Sequence, residues 1–138
     1  MPPDPSSRDP QLAFVLDVLP ASAYVVVIFY TGLIRLAKLP EVGFMPTDKL
    51  LHALAFAGLA LLLVRATRVL LPRASLRRRL SFAVFLASFV GALLEVCQAF
   101  VPYRSAELLD WVADTVGALA AAVAIVLYLR LVPRRAHG

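Results

Sequence analysis

A single cysteine, Cys97, stands among the 138 residues. It excludes an internal disulfide and any cysteine-based structural zinc site. Histidine is nearly as scarce, with only His52 and His137. Acids are few, 9 Asp and Glu against 14 Lys and Arg. No glycine-rich phosphate loop and no repeat at the usual period of about 20–50 residues is present. No Ser-His-Asp motif appears, so triad-type nucleophilic catalysis has no footing. The net charge of +5 raises the question of nucleic acid. The basic residues are not interleaved with aromatics on a soluble face, however. They lie between apolar blocks, where they set membrane orientation, and no nucleic-acid partner is expected.

What is present is apolar length. The chain is 61% hydrophobic with a mean hydropathy of +0.81, against about 45–50% apolar residues in a soluble domain. The excess falls in blocks long enough to cross a bilayer, which takes about 20 helical residues. The expected fold is all-α: one four-span transmembrane helical bundle over residues 12–132, after a disordered proline-rich lead-in (1–11) and before a basic tail (133–138). The spans are expected at Leu12–Leu36, Asp48–Leu71, Leu80–Val101 and Leu108–Leu131. Asp17 and Pro20 interrupt the start of the first. Ala21-Ser22-Ala23 resembles a signal-peptidase site, but the apolar stretch before it is short and holds Asp17, so the span is expected to be retained. Pro40, Gly43 and Pro46 punctuate a loop, and Thr47 and Asp48 look like a helix cap. Arg65 and Arg68 can snorkel to the interface. Pro72–Arg79 reads as a basic loop, and Trp111 suits an interfacial ring.

Four spans put both termini and the loop between spans two and three on one side. That side carries Arg8, Arg65, Arg68, Arg73, Arg77, Arg78, Arg79, Arg130, Arg134 and Arg135. The other carries only Arg35, Lys38, Lys49 and Arg104. The positive-inside rule then places both termini in the cytoplasm, in a multi-pass protein of the bacterial plasma membrane.

On this topology the polar residues converge. Asp48 and His52 open span two, Glu95 and Gln98 close span three, Arg104 lies in the turn, and Asp110 and Asp114 open span four. Helical rise puts His52, Glu95 and Asp114 about 5–10 Å below their helix ends, all toward the outer side. Asp48 and His52, four apart, share a helix face. Ala83, Ala87, Gly91 and Glu95 form a stripe, as do Asp110, Asp114, Gly117, Ala118 and Ala121. Small residues at this spacing mark close helix contact in membranes. A polar cavity opening outward near the lipid headgroups is expected.

An ionisable residue inside a membrane is by default a functional-site hypothesis. His52 with Glu95 is the first candidate pair, as general base or acid and its partner; the alternative is a structural hydrogen bond locking spans two and three. Arg104 suits an anion clamp or a salt bridge to Glu95, Glu107 or Asp110. Asp110 suits the helix start and the positioning of Arg104, whereas Asp114 lies deeper than capping explains. Asp48, Gln98, Arg104, Asp110 and Asp114 are the candidate ligand-binding residues. One histidine among acids is a weak metal signal; no metal site is assigned and no cofactor is identified. Lys49 reads as an interfacial anchor, Cys97 as packing, and His137 as idle.

Asp48-Lys49-Leu50-Leu51-His52 opening a span, Glu95 and Gln98 closing the next, then Phe100, Pro102, Arg104, Asp110 and Gly117, resemble the VanZ-like family of small bacterial membrane proteins. The resemblance covers about residues 24 to 130. The family usually shows an asparagine at the position of Asp114. The resemblance implies a multi-pass plasma-membrane protein of the cell envelope, in a family whose founding member is associated with resistance to the lipoglycopeptide teicoplanin. Three functions stay open. One is an outward pocket for membrane lipids or a lipid-linked or lipid-anchored envelope ligand. Another is a hydrolase or group transferase on a lipid headgroup, with His52 and Glu95 in acid–base roles and Arg104 as phosphate clamp. The third is a structural module, with a homo-oligomer left open.

Overall fold

The structure, a computed structural model, describes residues 9–34 and 47–132. The expected lead-in up to residue 8, the punctuated loop of residues 35–46 and the tail from residue 133 lie outside the described residues. Among the described residues five helices form: α1 (Pro10–Asp17), α2 (Leu19–Leu33), α3 (Thr47–Leu70), α4 (Leu76–Ala99) and α5 (Leu108–Leu131). α1 and α2 follow one another as a single broken span, so 4 segments are long and apolar enough to cross a membrane. The expected all-α, four-span bundle is the observed one.

The break in the first span has a local cause. Proline has no N–H, so Pro20 cannot bond the carbonyl four residues back, that of Leu16. Arg65 of α3 takes over that acceptor, Nη2 donating to Leu16 O at 3.2 Å. The same guanidinium holds Asp17, with Nε and Nη2 3.1 and 2.9 Å from Oδ1. Asp17 is buried, so its charge needs this partner. Arg65, expected to be able to snorkel, keeps its side chain 52% exposed while its head holds the kink.

Other boundaries move by a few residues. Asp9 caps α1 by accepting from Gln11 N at 2.9 Å, so helix starts two residues before Leu12, inside the expected lead-in. Thr47 and Asp48, read as a cap, already lie within α3. α4 starts at Leu76 rather than Leu80 because Ser75 Oγ accepts from Arg78 N, which draws Arg77, Arg78 and Arg79 out of the expected loop into the first helical turn.

α3 is the hub, packing on every other helix, while α5 packs on α3 and α4 alone. The small-residue stripes lie at these contacts. Ala83, Ala87, Ala118 and Ala121 are buried, as are Gly91 and Gly117. Gly117 lets α5 approach the α3 backbone so closely that a Cβ there would sit 1.9 Å from Ala53 O. Phe56, Leu59, Leu94 and Ala60 complete the core. The outer faces remain apolar and uncovered: Phe85, Leu108 and Val26 are each about two-thirds exposed or more, at 67%, 72% and 67%. That suits hydrocarbon rather than water.

Candidate functional site

The polar residues gather where α3 and α5 begin and α4 ends. His52 is the centre. Its Nδ1 lies 2.9 Å from Asp114 Oδ1, and Asp114 is fully buried at 0% exposure. The expected partner, Glu95, does not bond it. Glu95 Oε2 instead accepts from the backbone N of Glu107 at 2.7 Å, tying the end of α4 to the start of α5. The reason is register: the stripe on α5 sets Asp114 against Gly91 of α4, where a Cβ would lie 2.7 Å from Asp114 Oδ2. The acid from α5 thereby reaches between the helices to α3. Asp114 Oδ2 and Glu95 Oε1 are both closed to solvent and have no hydrogen-bond partner among the described residues.

Lys49 joins the neighbouring acids. Its ammonium bonds Asp110 Oδ1 and Glu107 Oε2, the latter at 2.6 Å, with Asp48 at 3.6 Å. Far from being a plain interfacial anchor, it cross-links α3 to the start of α5. Asp110 was expected to position Arg104; its charge partner is Lys49. Glu107 sits ahead of α5, outside the span, and the Lys49 ammonium holds its carboxyl below the usual value of 4.5. Asp110 Oδ2 also faces His52 Nε2 across 3.8 Å, too far for a direct hydrogen bond.

Arg104 and Gln98 point elsewhere. Arg104 Nη2 donates to Ile34 O at 3.0 Å and Thr31 O at 3.4 Å, and among the described residues it makes no salt bridge to Glu95, Glu107 or Asp110. Gln98 Nε2 donates to Gly32 O at 3.0 Å. Tyr103 Oη adds a bond to Leu33 O at 3.3 Å. Three side chains thus close the carbonyl end of α2, which carries a partial negative charge and needs donors. Trp111, read as an interfacial ring, donates from Nε1 to Ser88 O at 3.1 Å and locks α5 to α4. Ser88 and Thr115 pair beside it at 2.8 Å.

Two features escaped the sequence reading. Lys49 lies three residues before His52, hence on the same helix face, and that spacing was available. The Asp17–Arg65 pair joins two charges that both lie within a few turns of the far end of their spans. The depth argument used for His52 applies there equally.

The cluster can take a divalent cation by position. Asp48, His52 and Asp110 each offer a ligand atom within 4.8 Å of the others, and Asp114 on the second ring nitrogen is the kind of carboxylate that orients a metal-bound histidine. It can equally work without one. A proton on Nδ1 would bond Asp114 and leave Nε2 facing Asp110. A groove of about 420 Å³ lies apart from these residues along α2, lined by Val25, Val26, Phe29, Tyr30, Leu33 and Ile34. It is mostly apolar and includes no residue of the cluster.

No curated protein matches this chain, and no solved structure does. The family model described as VanZ/LLP1 matches residues 8–130, nearly the whole length and every described helix. Together with the four apolar spans, this identifies a multi-pass membrane protein with the topology of a bacterial inner-membrane protein, and the chain belongs to the VanZ/LLP1 family.

Proposed function

We propose that the His52 end of the bundle faces the outer leaflet, with both termini cytoplasmic, and binds the polar head of a lipid-linked or lipid-anchored envelope ligand. The orientation rests on the basic residues crowded at the opposite end. The observation that carries the binding reading is the His52–Asp114 pair, half-buried histidine on fully buried acid, drawn from two spans and flanked by the Lys49–Asp110 ion pair. A scaffold needs no such pair, since hydrophobic side chains of like volume hold helices together as well or better. Asp48 is the exposed member, its side chain 65% accessible, and marks the mouth.

The charge balance narrows the ligand. Asp48, Glu95, Glu107, Asp110 and Asp114 gather about Lys49 and His52, while Arg104 is spent on α2. A bare phosphate meets net repulsion here. A head presenting ammonium or hydroxyl donors is favoured, or a phosphate brought in on a divalent cation at Asp48, His52 and Asp110. Arg104 as a phosphate clamp therefore gives way to Arg104 as the residue that holds α2 in place. The teicoplanin association implied by the family resemblance belongs to this same proposal, as one context in which an envelope ligand matters.

A second reading has its own support. Asp114 on Nδ1 leaves Nε2 free, the arrangement that makes a histidine a general base. In that reading the protein is a hydrolase or group transferase on a lipid headgroup, with His52 as base, Asp114 orienting it and Glu95 as the second acid.

Native mass spectrometry of protein extracted from bacterial membranes tests both. Wild type is expected to retain a lipid-linked species that His52→Asn and Asp114→Asn lose while staying folded. Equal retention by all three contradicts the site. Conversion of the retained species by wild type, absent in a His52→Asn protein that still binds it, selects the enzyme.

A further inference from the structure

The end of the bundle away from His52 carries Arg68, Arg73, Arg77, Arg78, Arg79 and Arg130. None of them makes an ion pair among the described residues. The described acids at that end are already engaged: Asp9 caps α1 and Asp17 is held by Arg65. Arg68 and Arg130 lie in the last turns of α3 and α5, where a cation suits the helix dipole. They need no ligand to explain them.

The corner between α3 and α4 is different. Arg77, Arg78 and Arg79 fill the first turn of α4, which has no acid. That end of a helix is the positive one, so each guanidinium is set against the dipole and against its neighbours. Orientation in the membrane does not demand this. The same charges in the connecting loop would satisfy the positive-inside rule without opposing the helix. Arg79 is drawn back, Nη2 donating to Pro72 O at 2.7 Å, and its Nε is closed to solvent with no partner among the described residues. Arg73, Arg77 and Arg78 stay exposed and without hydrogen bonds from their side chains among the described residues.

We propose that this corner is a binding surface for the phosphate of anionic phospholipids, with Arg73, Arg77 and Arg78 as its ligands. A phosphate there meets three guanidiniums and the positive end of α4, and turns each unfavourable placement into a favourable one. The membrane is the source the geometry favours. The corner joins two spans of 24 residues each, so it sits at headgroup depth. Leu70 and Leu76, 52% and 44% exposed, flank it where acyl chains begin. This surface is at the opposite end from His52 and stands or falls separately from that site.

The test places full-length protein in phosphatidylcholine nanodiscs doped with phosphatidylglycerol and counts retained lipids by native mass spectrometry. Wild type is expected to retain phosphatidylglycerol about tenfold or more over phosphatidylcholine, as juxtamembrane basic clusters do. The triple variant Arg73→Gln, Arg77→Gln, Arg78→Gln is expected to lose that preference. Ser75→Asp keeps a cap and supplies the missing negative charge, so it is expected to raise the melting temperature yet weaken lipid retention. A merely structural corner would give the first effect without the second. Equal retention of both lipids by wild type overturns the proposal, as does unchanged retention in the triple variant. Full displacement of the lipid by inorganic phosphate at millimolar concentration overturns it too, because the site would then belong to the free anion.

Discussion

At the scale of single residues, the polar end of this bundle is a set of charges that each need a neighbour. Asp114 has 0% exposure and is tolerated because His52 meets it. Asp110 is met by Lys49, which also meets Glu107. Glu107 offers a direct check. Its depressed carboxyl favours the folded state fully above the ordinary value of 4.5, and that contribution fades as pH falls through the lower folded value. Lys49→Gln is expected to return the Glu107 titration midpoint, followed by carboxyl carbon NMR, toward 4.5. An unchanged midpoint would show that Lys49 is not its partner. Most of these residues were legible as a group, because an ion in an apolar run needs an explanation and helical rise gives its depth. Their pairing was not. Depth alone does not say which of two acids faces His52; that depends on the rotation of α4 against α5, which small residues set through contacts between chain segments remote in sequence.

At the scale of elements, helices and spans follow from apolar length, and their ends from caps. Ser75 shows the limit: a loop of arginines reads as loop until one hydroxyl is seen to start the helix. The kink after Asp17 shows another. Pro20 predicts a break, but not that an arginine from α3 supplies the missing donor. The α3–α5 contact is the most demanding joint, because the helices meet at Gly117 with no room for a methyl group. Gly117→Ala is expected to destabilise the bundle by about 2 kcal/mol or more, the range of overpacked cores and above. Reversible unfolding in mixed micelles measures it. A loss under roughly 0.5 kcal/mol, the scale of ordinary surface changes, would mean the helices do not meet there. Gly91 sits against the Asp114 side chain rather than against backbone, so the stripe that packs the helices also aims the acid. Packing and site share residues here, which explains why the small-residue pattern pointed to both.

At the scale of the molecule, four apolar spans carry one acidic polar end and one basic end. In the orientation proposed above, this asymmetry turns the His52 end outward. Because Cys97 is the sole cysteine, a Cys97→Ala background allows single-cysteine labelling. In intact cells a membrane-impermeant maleimide is expected to label Ser105→Cys and not Ser75→Cys; the reverse pattern would put the site on the cytoplasmic face. Beneath orientation and ligand lies the claim that α3 and α5 place one histidine against one particular acid. With His52 and His137 the only histidines, nitrogen-15 NMR of the His137→Ala protein in lipid bilayers observes the His52 ring alone. Asp114→Asn is expected to shift the Nδ1 resonance strongly and Glu95→Gln to leave it nearly in place. A large shift on Glu95→Gln with none on Asp114→Asn would contradict the account.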